Sequence, residues 1–223
     1  MANQITDMES FKKIGVVMFE FMRTSKVEAF AELNKSASKD GIVFVGDSIT
    51  EGFPIQEMFP NSKNLYNRGI SGENTRGVLD NLKHLVLDLE PAKVILLIGT
   101  NDLGNGEQPH EIVKRIEEIS KKIKAVLPGV QLYLESIYPV NGDVPNTFPF
   151  PVVGSRTNAA IQQINANLRD IASSLNVTFI DMYSKLVGED GQLKNDYTYD
   201  GLHLSIKGYE IVTKQLQKQK IVS

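Results

Sequence analysis

Short apolar runs alternate with amphipathic segments along this chain, and that rhythm leaves few folds open. Runs bounded by turn residues stand at Ile42–Val45, Ala92–Ile98, Gln131–Ser136 and Val177–Ile180, with a weaker one around Leu65–Asn67. Short apolar runs of this kind suit strands buried on both faces. Between them, Ile112, Ile116, Ile119, Ile123 and Val126 recur at helical spacing with Lys and Glu opposite. Ile161, Ile164, Leu168, Ile171 and Leu175 do the same, as do Val78, Leu82, Leu85 and Leu89. Helical stripes between buried strands require βα crossovers, and so a parallel sheet with helices on both faces. With 223 residues, 41% of them hydrophobic, the chain can close one such α/β sandwich over a real core.

Charge and residue usage exclude several function classes. Asp and Glu number 27 against 24 Lys and Arg, a net charge of −3 that gives no pull towards nucleic acid or an anionic membrane. Cysteine is absent, so disulfides, thiolate metal sites and a Cys nucleophile are excluded. Lys12 and Lys13 precede an apolar stretch, Gly15 to Phe19, but Glu20 interrupts it before signal-peptide length. No run approaches the ~20 apolar residues of a spanning helix. The expectation is a cytoplasmic protein without stable membrane association.

Two regions break the rhythm. Residues 7–38 read as one or two helices, with Phe11, Ile14, Met18 and Phe21 followed by Val27, Phe30 and Leu33. They make residues 1–40 a helical extension before a single unit at 41–223, and either pack on the sheet or offer a surface for a homodimer. Tyr138 to Ser155 holds Pro139, Pro145, Pro149 and Pro151, four of the nine prolines, and reads as a long loop suited to a lid or binding role.

Ligands of open parallel sheets bind at the carboxyl ends of the strands. The polar clusters that follow the strands are therefore the candidates: Gly46-Asp47-Ser48, Asn67 to Asn74, Gly99-Thr100-Asn101-Asp102 and Asp200-Gly201-Leu202-His203. Of three histidines, His84 lies within a helical stripe and His110 in the first turn of a helix. His203 differs, because Asp200 three residues earlier can fix its tautomer and leave Nε2 free as a base. Ser48 follows a buried strand and suits a helix cap as well as a nucleophile. The G-x-G-x-x-G and GK[ST] phosphate patterns are missing, and Thr50 stands where a G-x-S-x-G elbow needs glycine. Gly72 and Ser48 could offer backbone N–H groups and Asn101 its side-chain amide to an oxyanion. Each residue alone has a structural reading; together they supply one residue for every role in acyl transfer.

These four blocks, in this order and over about residues 41 to 216, resemble the signature blocks of the SGNH (GDSL-type) hydrolases, with Ile49 where the first block often has Leu. The stretches Ile70 to Thr75 and His203-Leu204-Ser205 are most similar to the platelet-activating-factor acetylhydrolase-like bacterial branch. The resemblance implies a flavodoxin-like three-layer α/β/α sandwich with five parallel strands. It also implies Ser48 as nucleophile, His203 as base, Asp200 as its orienting acid, an oxyanion hole of Ser48, Gly72 and Asn101, and no metal or cofactor.

The function so implied is hydrolysis of small acyl esters through an acyl-enzyme on Ser48. Thioesterase, lysophospholipase and carbohydrate acetylesterase activities are the alternatives within enzymes. A small-ligand-binding module without catalysis, or an interaction protein built on the N-terminal helices, are the alternatives outside them. Residues expected to line the substrate site are Asp47 beside the serine, Glu73 and Asn74 in the second block, and Tyr138 and Phe148 in the Pro-rich loop.

Overall fold

Five strands form one parallel sheet in the computed structural model, which describes residues 2–145 and 151–223, with side chains from residue 14 onward. Strands β1 (Ile42–Gly46), β2 (Leu65–Gly69), β3 (Lys93–Leu97), β4 (Gln131–Glu135) and β5 (Thr178–Ile180) lie in the order β2-β1-β3-β4-β5. That order reverses beside β1, and register places Gly46 opposite both Gly69 of β2 and Leu97 of β3. The three segments that follow those residues therefore leave the sheet side by side. Val43, Val45, Val94 and Leu96 on one face and Phe44 and Ile95 on the other are all buried, as strands covered on both faces require.

The helices are α1 (Ala2–Asn34), α2 (Ser48–Glu51), α3 (Ile55–Met58), α4 (Thr75–Asp80), α5 (Leu82–Leu85), α6 (Thr100–Gly104), α7 (Pro109–Val126), α8 (Asn158–Leu175), α9 (Tyr183–Leu186) and α10 (Ile206–Lys218). Right-handed crossovers from β2 through β5 put α4, α7 and α8 on one face, where α4 packs on α7 and α7 on α8. The reversed β1–β2 connection puts α2 and α3 on the other face. Here α10 joins them: Tyr209 donates to the Ile49 carbonyl at 2.7 Å and stacks on Phe53. This is the three-layer α/β sandwich anticipated from the sequence.

Two sequence expectations need correction. The Val78–Leu89 stripe is not one helix. Asn81 ends α4, its side-chain amide donating to the Gly77 carbonyl, and a separate turn of 3-10 helix follows α5 before Glu90 turns left-handed. Val126 continues the α7 stripe by spacing but is exposed, because the helix ends there.

Helix α1 is a single long helix with two opposed stripes. Val27, Phe30 and Asn34 are buried against the domain, and Asn34 bridges the His84 carbonyl and the Arg68 guanidinium. On the other side Ile14, Val17, Met18, Phe21 and Met22 are all exposed. Among the described residues, no helix is long and apolar enough to cross a membrane.

Candidate active site

Ser48 opens α2 directly behind β1, with Asp47 as the N-cap that accepts from the Ile49 N–H at 2.9 Å. The cap is therefore Asp47 and not Ser48, which projects from the first helical turn. The Ser48 Oγ lies 2.9 Å from His203 Nε2, and His203 Nδ1 lies 2.6 Å from Asp200 Oδ2. The sequence separates Ser48 from His203 by 155 positions, and the fold joins them.

The turn that carries the acid and the histidine is built to hold them. Asp200 Oδ1 accepts from the Leu202 and His203 N–H groups at 2.9 and 2.8 Å, leaving Oδ2 for the ring. Thr198 Oγ1 donates to the His203 carbonyl and accepts from the Gly201 N–H. Gly201 has φ +85°, and a Cβ there would fall 2.0 Å from the Asn141 carbonyl oxygen, so only glycine fits. Burial works against the charge on Asp200, yet the hydrogen bonds from His203 and Leu202 hold its carboxyl below the usual range. An ionised Asp200 keeps the proton on Nδ1, which leaves the Nε2 lone pair facing the serine. This arrangement can accept the Ser48 proton and return it.

Gly72 and Asn101 approach from the neighbouring strand ends. Gly72 adopts φ +77°, and the ring of Phe19 from α1 stands where its Cβ would be, 2.3 Å from that position. Asn101 Nδ2 donates to the Glu73 carbonyl at 2.9 Å, which draws the third block against the second. Beneath them, Asp102 accepts from the Thr75 N–H and hydroxyl and from Arg115, fixing the same two blocks from the buried side. Among the described residues, no group of three or more His, Asp or Glu side chains is placed to hold a metal ion.

The residues expected to line the substrate site are mostly used elsewhere. Glu73 is only 2% exposed and pairs with Arg23 of α1 at 3.1 Å, so it tethers that helix instead of facing a ligand. The Asn74 side chain caps α4 by accepting from the Gly77 N–H. Tyr138 is buried, its hydroxyl donating to Glu135 at 2.6 Å. Asp47 is 1% exposed below the serine, and burial pushes its carboxyl up to about 7. Phe148 lies outside the described residues. The sequence reading missed Arg156, whose guanidinium reaches Thr100 and Asn101, because its partners are 55 and 56 positions away. Phe19 was missed for the same reason.

The buried Glu135 gives a pH test of this interior. Burial raises its carboxyl from 4.5 to about 7, so the folded protein keeps a proton that the unfolded chain loses near 4.5. Stability from that proton is complete below 4.5 and is lost as pH rises through about 7, worth about 3 kcal/mol. Glu135→Gln should abolish this dependence. Relative to the parent, its unfolding free energy should gain about 3 kcal/mol between about pH 4 and pH 8, read from urea denaturation. A gain below about 1 kcal/mol would contradict a protonated carboxyl at this position.

Residues 44–211 match the model of the GDSL-like lipase/acylhydrolase family, well over half of the chain. The chain is 28% identical over 182 residues to platelet-activating factor acetylhydrolase IB subunit alpha2 from Homo sapiens, covering 79% of this chain and 74% of that one. It is 28% identical over 203 residues to the isoamyl acetate-hydrolyzing esterase 1 homolog of Bos taurus, covering 78% and 79%. A solved structure from Streptococcus pneumonia, assigned provisionally as a platelet activating factor, superposes with a TM-score of 0.85 at 33% identity over 98% of this chain and 99% of that one.

Proposed function

The chain belongs to the GDSL-like lipase/acylhydrolase family and is a hydrolase acting on esters; from that premise we propose that it cleaves short-chain esters, acetyl esters foremost, through an acyl-enzyme on Ser48. The observation that carries this reading is the hydrogen-bonded run from Ser48 Oγ through the His203 ring to Asp200. His203 takes the Ser48 proton as Oγ attacks the acyl carbonyl carbon. The oxyanion receives hydrogen bonds from the Ser48 and Gly72 backbone N–H groups and from Asn101 Nδ2. Collapse of the tetrahedral species expels the alcohol, which leaves with the proton from His203. Water then attacks the acyl carbon with His203 again as base, and collapse breaks the bond to Oγ, releases the carboxylic acid and returns the proton from His203 to Ser48.

The short acyl preference draws on two supports. One is Phe19, half-buried against Gly72, which brings an aromatic wall to the edge of the proposed oxyanion hole. The other is that relatives named for acetyl substrates are among those this chain is similar to. The test is hydrolysis of p-nitrophenyl acetate, butyrate and octanoate by the parent and Ser48→Ala. The parent should turn over acetate fastest by kcat/KM, and Ser48→Ala should lose about 10⁶-fold in kcat, to the level of buffer. Ser48→Ala activity within tenfold of the parent would overturn the nucleophile. An octanoate preference would overturn the acyl size alone.

A further inference from the structure

We infer that Arg156 is a positioning residue for the proposed oxyanion hole, setting the orientation and donor strength of the Asn101 amide. The inference rests on Asn101 serving as an oxyanion donor, the reading given above. Arg156 stands just before α8, at the end of the Pro-rich loop, and its guanidinium is spent on the two segments it joins. Nε donates to the Thr100 carbonyl at 2.8 Å and reaches Thr100 Oγ1 at 3.1 Å. Nη1 donates to the Val152 and Val153 carbonyls at 3.1 and 3.0 Å. Nη2 donates to Asn101 Oδ1 at 2.9 Å. Only the planar, five-donor guanidinium can satisfy acceptors in three directions from one side chain.

The consequence for Asn101 follows from donor and acceptor types. With Oδ1 held by a cation and Nδ2 held by the Glu73 carbonyl at 2.9 Å, the amide has one acceptable orientation. Reversing it would set Oδ1 against another carbonyl oxygen and the NH₂ group against a guanidinium. An amide nitrogen carries two donors, so the bond to Glu73 leaves one N–H for a substrate oxyanion. A charge-assisted bond on Oδ1 also polarises the amide and strengthens the hydrogen bond that Nδ2 gives. Because the same guanidinium holds Val152 and Val153, the Pro-rich loop and the donor amide are fastened by one group.

A double-mutant cycle on p-nitrophenyl acetate hydrolysis tests this. Arg156→Ala should lower kcat by about 10- to 100-fold with KM changed less than about threefold, as expected of a group acting in the transition state. In the Asn101→Ala background the same substitution should cost less than about twofold, because its target is gone. Arg156→Lys should resemble Arg156→Ala, since one ammonium cannot span the acceptors. Ser155→Ala removes the loop's bonds to the Leu103 and Gly104 carbonyls without touching Asn101, and should keep kcat within about twofold of the parent. It serves as the control for loop anchoring if Arg156→Ala loses structure by circular dichroism, with Arg156→Lys then completing the cycle.

Equal losses from Arg156 substitution in both backgrounds would overturn the inference, as would a loss confined to KM. If Asn101→Ala itself leaves kcat unchanged, the donor reading has failed and the inference with it. If Asn101→Ala is severely impaired while Arg156→Ala and Arg156→Lys match the parent, the inference alone has failed.

Discussion

Asp200→Asn is expected to lower kcat for p-nitrophenyl acetate by about 10⁴-fold with the fold intact. Asparagine keeps an oxygen in the Oδ1 position, so the Leu202 and His203 N–H groups retain their acceptor and the turn survives. The damage lies at the other atom. An NH₂ group in place of Oδ2, 2.6 Å from His203 Nδ1, can only donate, and so selects the tautomer with its proton on Nε2. Nε2 faces Ser48 Oγ at 2.9 Å, and a protonated Nε2 has no lone pair with which to take the serine proton. The loss also removes the negative charge that stabilises the imidazolium formed during attack. Steady-state kinetics beside a far-UV circular dichroism spectrum read both halves of the expectation. A folded variant within tenfold of the parent would show that Asp200 is a turn-former only.

Asn101→Ala is expected to lower kcat by about 10² to 10³, the usual effect of removing one oxyanion donor, about 3 kcal/mol of transition-state stabilisation. KM should change little, because the developing negative charge exists only after attack begins. Asn101 is half-buried at the start of α6, and α6 has no side-chain N-cap that the substitution would disturb. What the substitution does release is the bond to the Glu73 carbonyl and the acceptor of Arg156. The second block keeps its tether through Asp102, which still binds Thr75 and Arg115, so the loss should appear in catalysis and not in folding. A raised KM at unchanged kcat would instead mark Asn101 as a ground-state contact of the substrate.

The sequence revealed those parts of the molecule whose signals are local. Strands buried on both faces carry short apolar runs, so β1 and β3 stand out and β4 is marked by Leu132, Tyr133 and Leu134. Edge strand β2 is weaker because Tyr66 and Asn67 are only half-buried and Arg68, paired with Val45 in register, is charged. The Asp200–His203 pairing was legible because both residues share one turn. The split of the Val78–Leu89 stripe was not, since a helical stripe passes through Asn81 without a proline to mark the break.

Polar residues near the site were the least legible. Glu73 has the chemistry of a ligand contact, and nothing local shows that Arg23 already occupies it. Asn74 and Tyr138 are taken by the Gly77 N–H and Glu135 only three residues away, a nearer use than the ligand reading allowed. Arg156 shows the opposite failure, a lone arginine in a loop whose importance depends wholly on distant partners. The family match begins at residue 44, so α1 lies outside it, yet Phe19 and Arg23 reach the second block. Lys26 of the same helix pairs with Glu51, whose carboxylate accepts from the Ser71 N–H. Those contacts belong to the long-range packing that periodicity alone does not carry.

The proposed function depends most on Ser48 being an activated nucleophile. The most direct measurement is treatment of the parent protein and Ser48→Ala with a fluorophosphonate, followed by intact-mass and peptide mass spectrometry. Only a serine whose proton is taken by a neighbouring base should displace the fluoride. A single phosphonyl adduct is expected on the parent, located on Ser48, and none on Ser48→Ala. An unlabelled parent protein, or an adduct on another residue that persists in Ser48→Ala, would contradict it.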